Sequence, residues 1–314
     1  IVEGVPTTDN YDSSIDLLSY SAFAQASKEW WGSRLKFSLG LSVLGNTYNA
    51  AMRNPLSQIS PRASLTYALD DKTDVSANVG RYAKLPSYTS LGYKNAAGSY
   101  ANRNTLKYIM ANHWVVGVSH RPTDGLSLVV EAFYKNYENY PISLLEGVSL
   151  ASKGAEFTAL GDEAVASSGL GRAYGAEAVV RLNLPQGITC SATYTLFRSE
   201  FTNLAGQYQP SSWDTGHILN VLASWKLPHS WTVSARWRWL GGAPYSPIDY
   251  ALSSQKEAWN IRNKAYLDYS RFNSLRLASA HQLDVRVDKE FYFRKWMLNL
   301  YFDVQNAYKA NNPV

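Results

Sequence analysis

Cysteine is almost missing from this chain. Cys190 is the only one among 314 residues, so neither an internal disulfide nor a cysteine metal cluster is available. It sits inside "ITCSATY", a strand-like stretch in which a thiol acts as a small apolar filler. Long hydrophobic runs are missing too. No stretch of about 18 apolar residues occurs, which excludes a membrane-spanning helix. The opening "IVEGVPTTDN" has neither the basic nor the apolar region of a signal peptide. It reads as mature chain or as the interior of a longer one. Charge of one sign is scarce: 30 Lys and Arg face 25 Asp and Glu, a net charge of +5. This dispersed excess holds no basic block of the kind nucleic acid requires, so no nucleic-acid partner is expected. The five histidines, His113, His120, His217, His229 and His281, lack ligand spacing, and no metal site is expected. Dinucleotide, phosphate-loop and zinc-protease motifs are absent. No catalytic residue or cofactor is assigned, and the chain is not expected to be an enzyme.

Aromatic side chains are what the chain has in abundance. Twenty-two Tyr and ten Trp outnumber three Met, a bias toward groups with an apolar body and a polar tip. Many lie in strict alternation. In "WTVSARWRW" (231–239) three Trp, a Val and an Ala take every second position, and Thr232, Ser234, Arg236 and Arg238 fill the gaps. "ITCSATYTL", "YGAEAVVRLNL", "WMLNLYFDVQ", "RLKFSLGLSV" and "QLDVRVDKE" behave the same way. Period two is the mark of strands with one polar and one apolar face.

About twelve such strands are expected, near 15–29, 34–48, 61–69, 74–85, 107–121, 126–141, 171–184, 188–203, 213–227, 230–246, 280–291 and 295–308. The stretch 251–266 is read as loop. "WWGS", "DDKT", "PTDG", "PQG", "PHS" and "FRK" are tight turns. They alternate with long segments at 49–60, 86–106, 142–170, 204–212 and 247–279. Short connections at one end of a sheet and long ones at the other describe an up-and-down meander, which Greek-key crossings do not give.

Aromatic placement decides which solvent meets the apolar face. Trp and Tyr favour the two membrane–water interfaces. Trp30, Trp31, Trp231 and Trp296 lie beside tight turns; Tyr48, Tyr82, Trp114, Tyr137, Tyr140, Trp213, Trp237, Trp239 and Tyr245 lie toward the long loops. From Trp231 to Trp239 is roughly 26 Å along a strand, or about 20 Å of height at a tilt of ~40°, close to the ~25 Å apolar band of outer-membrane barrels. The expected fold is therefore all-β: a transmembrane antiparallel up-and-down β-barrel with apolar residues facing lipid and a polar interior.

Two stretches carry a family resemblance. "SPRASLTYALDDKTDVSANVGRYAKLPSYTSLGY" (60–93) resembles the middle-barrel segment of TonB-dependent outer-membrane receptors, with Gly80, Arg81, Tyr82, Leu85 and Pro86 at the strand end that leads into a long extracellular loop. "WMLNLYFDVQNAYKANNPV" is similar to their penultimate strand, with Asn306, Ala307 and Tyr308 at an Asn–aliphatic–aromatic signature. The chain departs from the family at Thr105 and Leu106, and no Glu precedes Gly117. The resemblance implies that residues 1–314 are one segment of a barrel of about 22 strands. The plug domain, the first strands and the last strand would lie outside this chain, since open strand edges are untenable in lipid.

The same resemblance implies an outer-membrane receptor of a Gram-negative bacterium. It would capture a scarce solute (a ferric chelate, cofactor, peptide or oligosaccharide) with extracellular loops and import it using TonB. The alternative is a passive porin or a scaffold barrel of a larger surface complex. Expected partners are outer-membrane lipid and lipopolysaccharide, the TonB complex through the absent N-terminal part, and a surface lipoprotein or other outer-membrane partner. Candidate ligand contacts are Arg81, Tyr88, Tyr93, Tyr100, Arg103, Tyr245 and Trp259 in or near the loops, and Arg236 and Arg238 in the lumen. Aromatic, amide and cationic groups together suit a recognition surface, but also suit loops packing on one another. Arg181, Arg236, Arg238 and Arg286 could guide an anion, or pair with Glu177, Asp284 and Asp288 across strands.

Overall fold

The structure, a computed structural model, describes residues 12–154 and 160–313. Alternating apolar and polar residues pair edge to edge into one antiparallel meander. Its strands are β1 (Ser19–Trp30), β2 (Leu35–Asn46), β3 (Ser60–Ala68), β4 (Thr73–Lys84), β5 (Ile109–Thr123), β6 (Leu126–Ser143), β7 (Val165–Leu184) and β8 (Ile188–Thr202). They continue with β9 (Tyr208–Pro210), β10 (His217–Leu227), β11 (Trp231–Leu240), β12 (Pro244–Tyr245), β13 (Leu275–Arg276), β14 (Ala280–Tyr292) and β15 (Met297–Val304). The sheet runs in chain order from β1 to β8 and on through β10, β11, β14 and β15, with β9 added beside β8. Strands β12 and β13 pair separately above it. Among the described residues β1 and β15 are the sheet's two edges.

The expected strands are present, but β1 starts at Ser19 rather than near 15, β11 ends at Leu240 rather than near 246 with Pro244–Tyr245 pairing apart as β12, and β15 ends at Val304 rather than near 308. β7 starts at Val165 rather than near 171, because Pro141, Ile142 and Ser143 continue pairing past two register shifts in β6. β10 starts at His217 rather than near 213, since the chain turns at Ser212–Trp213 and bends at Gly216, with Asp214 buried between them. Within 251–266, read as loop, two short helices form, Tyr250–Ser253 and Lys256–Arg262. Asp249 caps the first by accepting from the Leu252 amide, and Asn263 ends the second in the left-handed region. Helices this short carry no amphipathic period to read.

Register assigns every strand residue to a face. Trp237 stands opposite Leu283 and Val221, and Ala235 opposite Val285 and Ala223. The same row continues through Ala192, Val180, Leu128 and His120 to Thr73. This outward face stays uncovered by the chain: Val116 is 57% exposed, Val130 56% and Leu39 52%. So wide an apolar surface is untenable in water and suits lipid. The opposite face holds hydroxyl and charged ladders, among them Ser27 to Ser38 at 2.9 Å, Thr195 to Glu177 at 2.9 Å and Ser234 to Ser224 at 3.1 Å.

The buried core lies among the long loops and the strand ends that enter them, not along the middle of the wall. Tyr48, Met52, Leu91, Leu106, Tyr108, Met110, Leu150 and Val165 cluster there. Buried amides tie separate loops together. Asn102 Nδ2 donates to the carbonyls of Ser90 and Glu163, both at 2.8 Å, while its Oδ1 accepts from the Val165 amide at 2.9 Å. Asn273 Nδ2 donates to the carbonyls of Ser152 at 2.8 Å and Pro210 at 3.0 Å. Tyr48 donates to the Leu91 carbonyl at 2.9 Å, and burial pushes its phenol up to about 12.

Candidate functional site

Strand parity brings a set of aromatic rings together on the lumen face at the loop end. Tyr82 of β4, His113 of β5, Tyr137 and Tyr140 of β6, and Phe201 of β8 line a cavity of about 620 Å³ with Trp213 of the following turn. Lys84, Ser199 and Ser211 supply its polar groups. The rings touch in sequence. Centroids lie 4.6 Å apart for Tyr82 and His113, 5.3 Å for Tyr137 and Phe201, and 4.5 Å for Tyr140 and Phe201. Arg62 places its guanidinium 4.5 Å over the Tyr82 ring. Two glycines make this packing possible. A Cβ at Gly171 would stand 2.3 Å from the Phe201 ring, and one at Gly80 would stand 2.9 Å from the Tyr82 ring. The volume falls within the range of small-molecule sites, about 300–1,000 Å³.

Farther along the sheet, the lumen face of β11 and β14 carries an ionic ladder. Arg236 donates to Asp284 at 2.7 Å, and Arg238 lies 3.8 Å from the same carboxylate. Arg286 pairs with Asp288 at 2.7 Å and stacks 4.0 Å from the Tyr301 ring. Pairing is thus what most of these arginines do. Arg181 differs: Glu177 accepts from Thr195 instead, and Arg181 makes no ion pair among the described residues.

The other expected ligand residues are spread over separate places. Arg81 lies on the outward face beside Val79, paired with Glu138 at 3.2 Å. It therefore does not face the lumen, because it is offset by one residue from Tyr82. Tyr100 and Arg103 form one small cluster, with the guanidinium 5.8 Å from the ring and the Tyr100 hydroxyl donating to Ser14 at 2.7 Å. Tyr88 starts a short helix and is 70% exposed, and Tyr93 ends it. Tyr245 lies in β12 and Trp259 in the helix Lys256–Arg262, both partly exposed.

The aromatic girdles follow parity as well. Trp30 and Trp231 close their strands on the outward face, Trp31 and Trp296 sit in adjoining turns, and Trp114, Trp237 and Trp239 face outward toward the loop side. Trp213 does not belong with them. It lines the lumen cavity, as do Tyr82, Tyr137 and Tyr140, and Tyr48 is buried in the loop core. Nearness to a loop end places a ring in height, but only register places it on a face. None of the expected ligand contacts lines this cavity: Tyr82, Tyr137, Tyr140 and Trp213 are expected only at the interface, and Lys84, His113, Ser199, Phe201 and Ser211 are not singled out by the sequence, although alternation puts His113 and Phe201 on the polar side.

Comparison with known proteins agrees with this architecture. The family model for the TonB dependent receptor-like β-barrel matches residues 2–307. No curated protein matches the sequence. Among solved structures, the ferripyoverdine receptor of the Pseudomonas aeruginosa outer membrane, bound to ferripyoverdine, is similar at 17% identity and a TM-score of 0.64, over 94% of this chain and 35% of that one. The ferric-catecholate import receptor Fiu of E. coli K12 is similar at 13% identity and a TM-score of 0.63, over 94% and 41%. The FrpB iron transporter of Neisseria meningitidis gives 12% and 0.62, over 94% and 41%. The chain thus spans roughly two fifths of the length of the structures it matches. A fold of this kind, an outward apolar face and a family match over nearly every residue lead to one conclusion: the chain belongs to the TonB-dependent receptor β-barrel family of the Gram-negative outer membrane, a family of receptors and not of enzymes.

Proposed function

We propose that this chain forms wall and extracellular mouth of a receptor that captures a scarce solute and passes it inward with energy from TonB. The supporting observation is the aromatic cavity of about 620 Å³ on the lumen face, where Tyr137, Tyr140, Phe201 and Trp213 meet Lys84. Rings with few, fixed polar groups suit a ligand with flat apolar faces and an anionic edge. A ferric chelate fits that description first; a cofactor, peptide or oligosaccharide fits less fully. Residues 1–314 serve on this reading as barrel segment, with the plug domain, the first strands and the last strand supplied by other parts of the protein. Partners are the TonB complex, the surrounding lipid and lipopolysaccharide, and a surface lipoprotein or other outer-membrane protein.

The test is uptake by cells carrying the full-length receptor, using a panel of iron-labelled chelates with TonB present or deleted. Saturable uptake of one chelate that needs TonB, and that falls at least about tenfold in Trp213→Ala and Phe201→Ala, is the expected result. Uptake that rises linearly with concentration and ignores TonB would mean a passive porin. No uptake of any probe, with the protein held in a surface complex, would mean a scaffold.

A further inference from the structure

We propose that Asn139 sets the selectivity of the aromatic cavity: a bulge at this residue turns Tyr140 inward, and the added ring makes the site prefer a ligand with flat rings. The inference rests on that cavity being the ligand site. Strict alternation along β6 would leave Tyr140 on the outward face, in line with Tyr134 and Glu138. It would put Asn139 on the lumen face in its place.

The pairing of β6 with β7 shows how the face is changed. Tyr137 stands opposite Gly171 and Pro141 opposite Ser167, and these two pairs belong to one continuous register. Between them the ladder shifts twice, so that Tyr140 meets Gly169 rather than Ser168. The first shift adds a residue to β6, the second adds one to β7, and the two cancel. No strand residue before or after them changes face. Their consequence is Tyr140 itself, which joins Tyr137 on the lumen side at 6.4 Å, edge to face.

Three local features hold this bulge. Asn139 has a φ of +59°, in the left-handed region that asparagine tolerates and a β-branched residue resists. Its Nδ2 donates to the Tyr108 carbonyl at 3.2 Å, which ties the bulge to the loop core. On the facing strand, a Cβ at Gly169 would stand 2.6 Å from the Tyr140 carbonyl oxygen, so the close approach requires glycine.

The bulge serves the cavity rather than the wall. Tyr137 and Tyr140 both pack on Phe201, at 5.3 and 4.5 Å, so three strands contribute one ring each or more to a single cluster. Neither phenol hydroxyl has a hydrogen-bond partner among the described residues. Both remain available as donors to oxygen atoms at a ligand's rim. A regular ladder would offer the Asn139 amide where the Tyr140 ring now stands, and the site would lose a stacking face. One such ring changes affinity by about three- to tenfold. A ligand without rings would lose far less.

The full-length receptor in detergent tests this with two ferric probes. One is the tris complex of a sulfonated hydroxyquinoline, with flat rings and anionic edges; the other is ferric citrate, anionic and without rings. The unaltered receptor should bind the quinoline complex more tightly. That preference should fall about three- to tenfold in Asn139→Val and in Tyr140→Ala, and no further when the two are combined. Asn139→Gly, which readmits the left-handed conformation, should recover most of it. Gly169→Ala blocks the bulge from the other strand, should match Asn139→Val, and decides if that variant does not fold. A preference that survives either block in a folded receptor, or losses that add in the double variant, would overturn the proposal. So would a cryo-EM map of Asn139→Val in which Tyr140 still faces inward, a readout that needs no ligand. An unaltered receptor indifferent to the two probes, with Tyr140 turned outward in Asn139→Val, would instead overturn the ligand-site reading and the selectivity with it.

Discussion

Placing one arginine at Ala235 and one at Ser234 separates the two faces of β11 by a single residue. Ala235 stands between Ala223 and Val285 on the outward face, midway between Trp231 and Trp239. Four residues from Trp231 is about 13 Å along the strand, or about 10 Å of height at a tilt of ~40°, close to the middle of a ~25 Å apolar band. An arginine there should cost about 2–4 kcal/mol, the depth-dependent cost of a cation on the lipid face of a barrel. Ser234 faces the lumen, 3.1 Å from Ser224 and opposite Arg286, whose charge Asp288 already balances. An arginine at Ser234 meets water and a nearly neutral neighbourhood, so its cost should stay below about 1 kcal/mol. The assay is reversible denaturant unfolding of the full receptor into and out of lipid vesicles, read by heat-modifiable gel migration. Equal costs at the two positions, or a larger cost at Ser234, would refute the assignment of faces.

Three further outcomes follow from the loops and the vestibule. Asn273→Ala removes the donors that join Ser152 and Pro210. It should destabilise the loop cap by about 1–3 kcal/mol, seen as faster proteolysis of the extracellular loops with the barrel intact. Gly171→Val should displace Phe201, because even a Cβ would stand 2.3 Å from its ring; ligand affinity should fall while heat-modifiability is kept. Tyr48 is held neutral by burial, its folded value near 12 lying above the ordinary 10.0. Its contribution is therefore complete below pH 10 and is lost as pH rises toward 12. The absorbance titration of the intact receptor minus that of Tyr48→Phe should show a single phenol step near pH 12, and a step near pH 10 would count against the buried assignment.

Most of the wall was legible because period two is a local property. Once "WTVSARWRW" alternates, Arg236 and Arg238 must share a face, and pairing to β14 puts Asp284 within reach of both. Tight turns were legible from their composition for the same reason. The vestibule was not, since it depends on the register of four strands and two shifts in β6. Tyr82 and Arg81 are neighbours in sequence but face opposite sides of the wall, and only pairing of β4 with β5 says which is which. Trp213 sits in a turn, where alternation gives no parity at all. The loop cap was illegible because its joints are single amides such as Asn102 and Asn273, far apart in sequence from their partners.

Cysteine scanning from position 231 to 240 tests the central claim, the wall with lipid outside and water inside. Cys190 is the only thiol in these 314 residues, so a receptor in which Cys190 and any cysteine outside this segment are replaced by serine leaves each introduced cysteine as the sole label site. In cells expressing the full receptor, a strict alternation is expected. Fluorophores at Val233, Ala235 and Trp237 are quenched by lipid-borne quenchers and ignored by aqueous ones, and those at Ser234, Arg236 and Arg238 show the reverse. A uniform response along the strand, or quenching by lipid at the arginine positions, would contradict it.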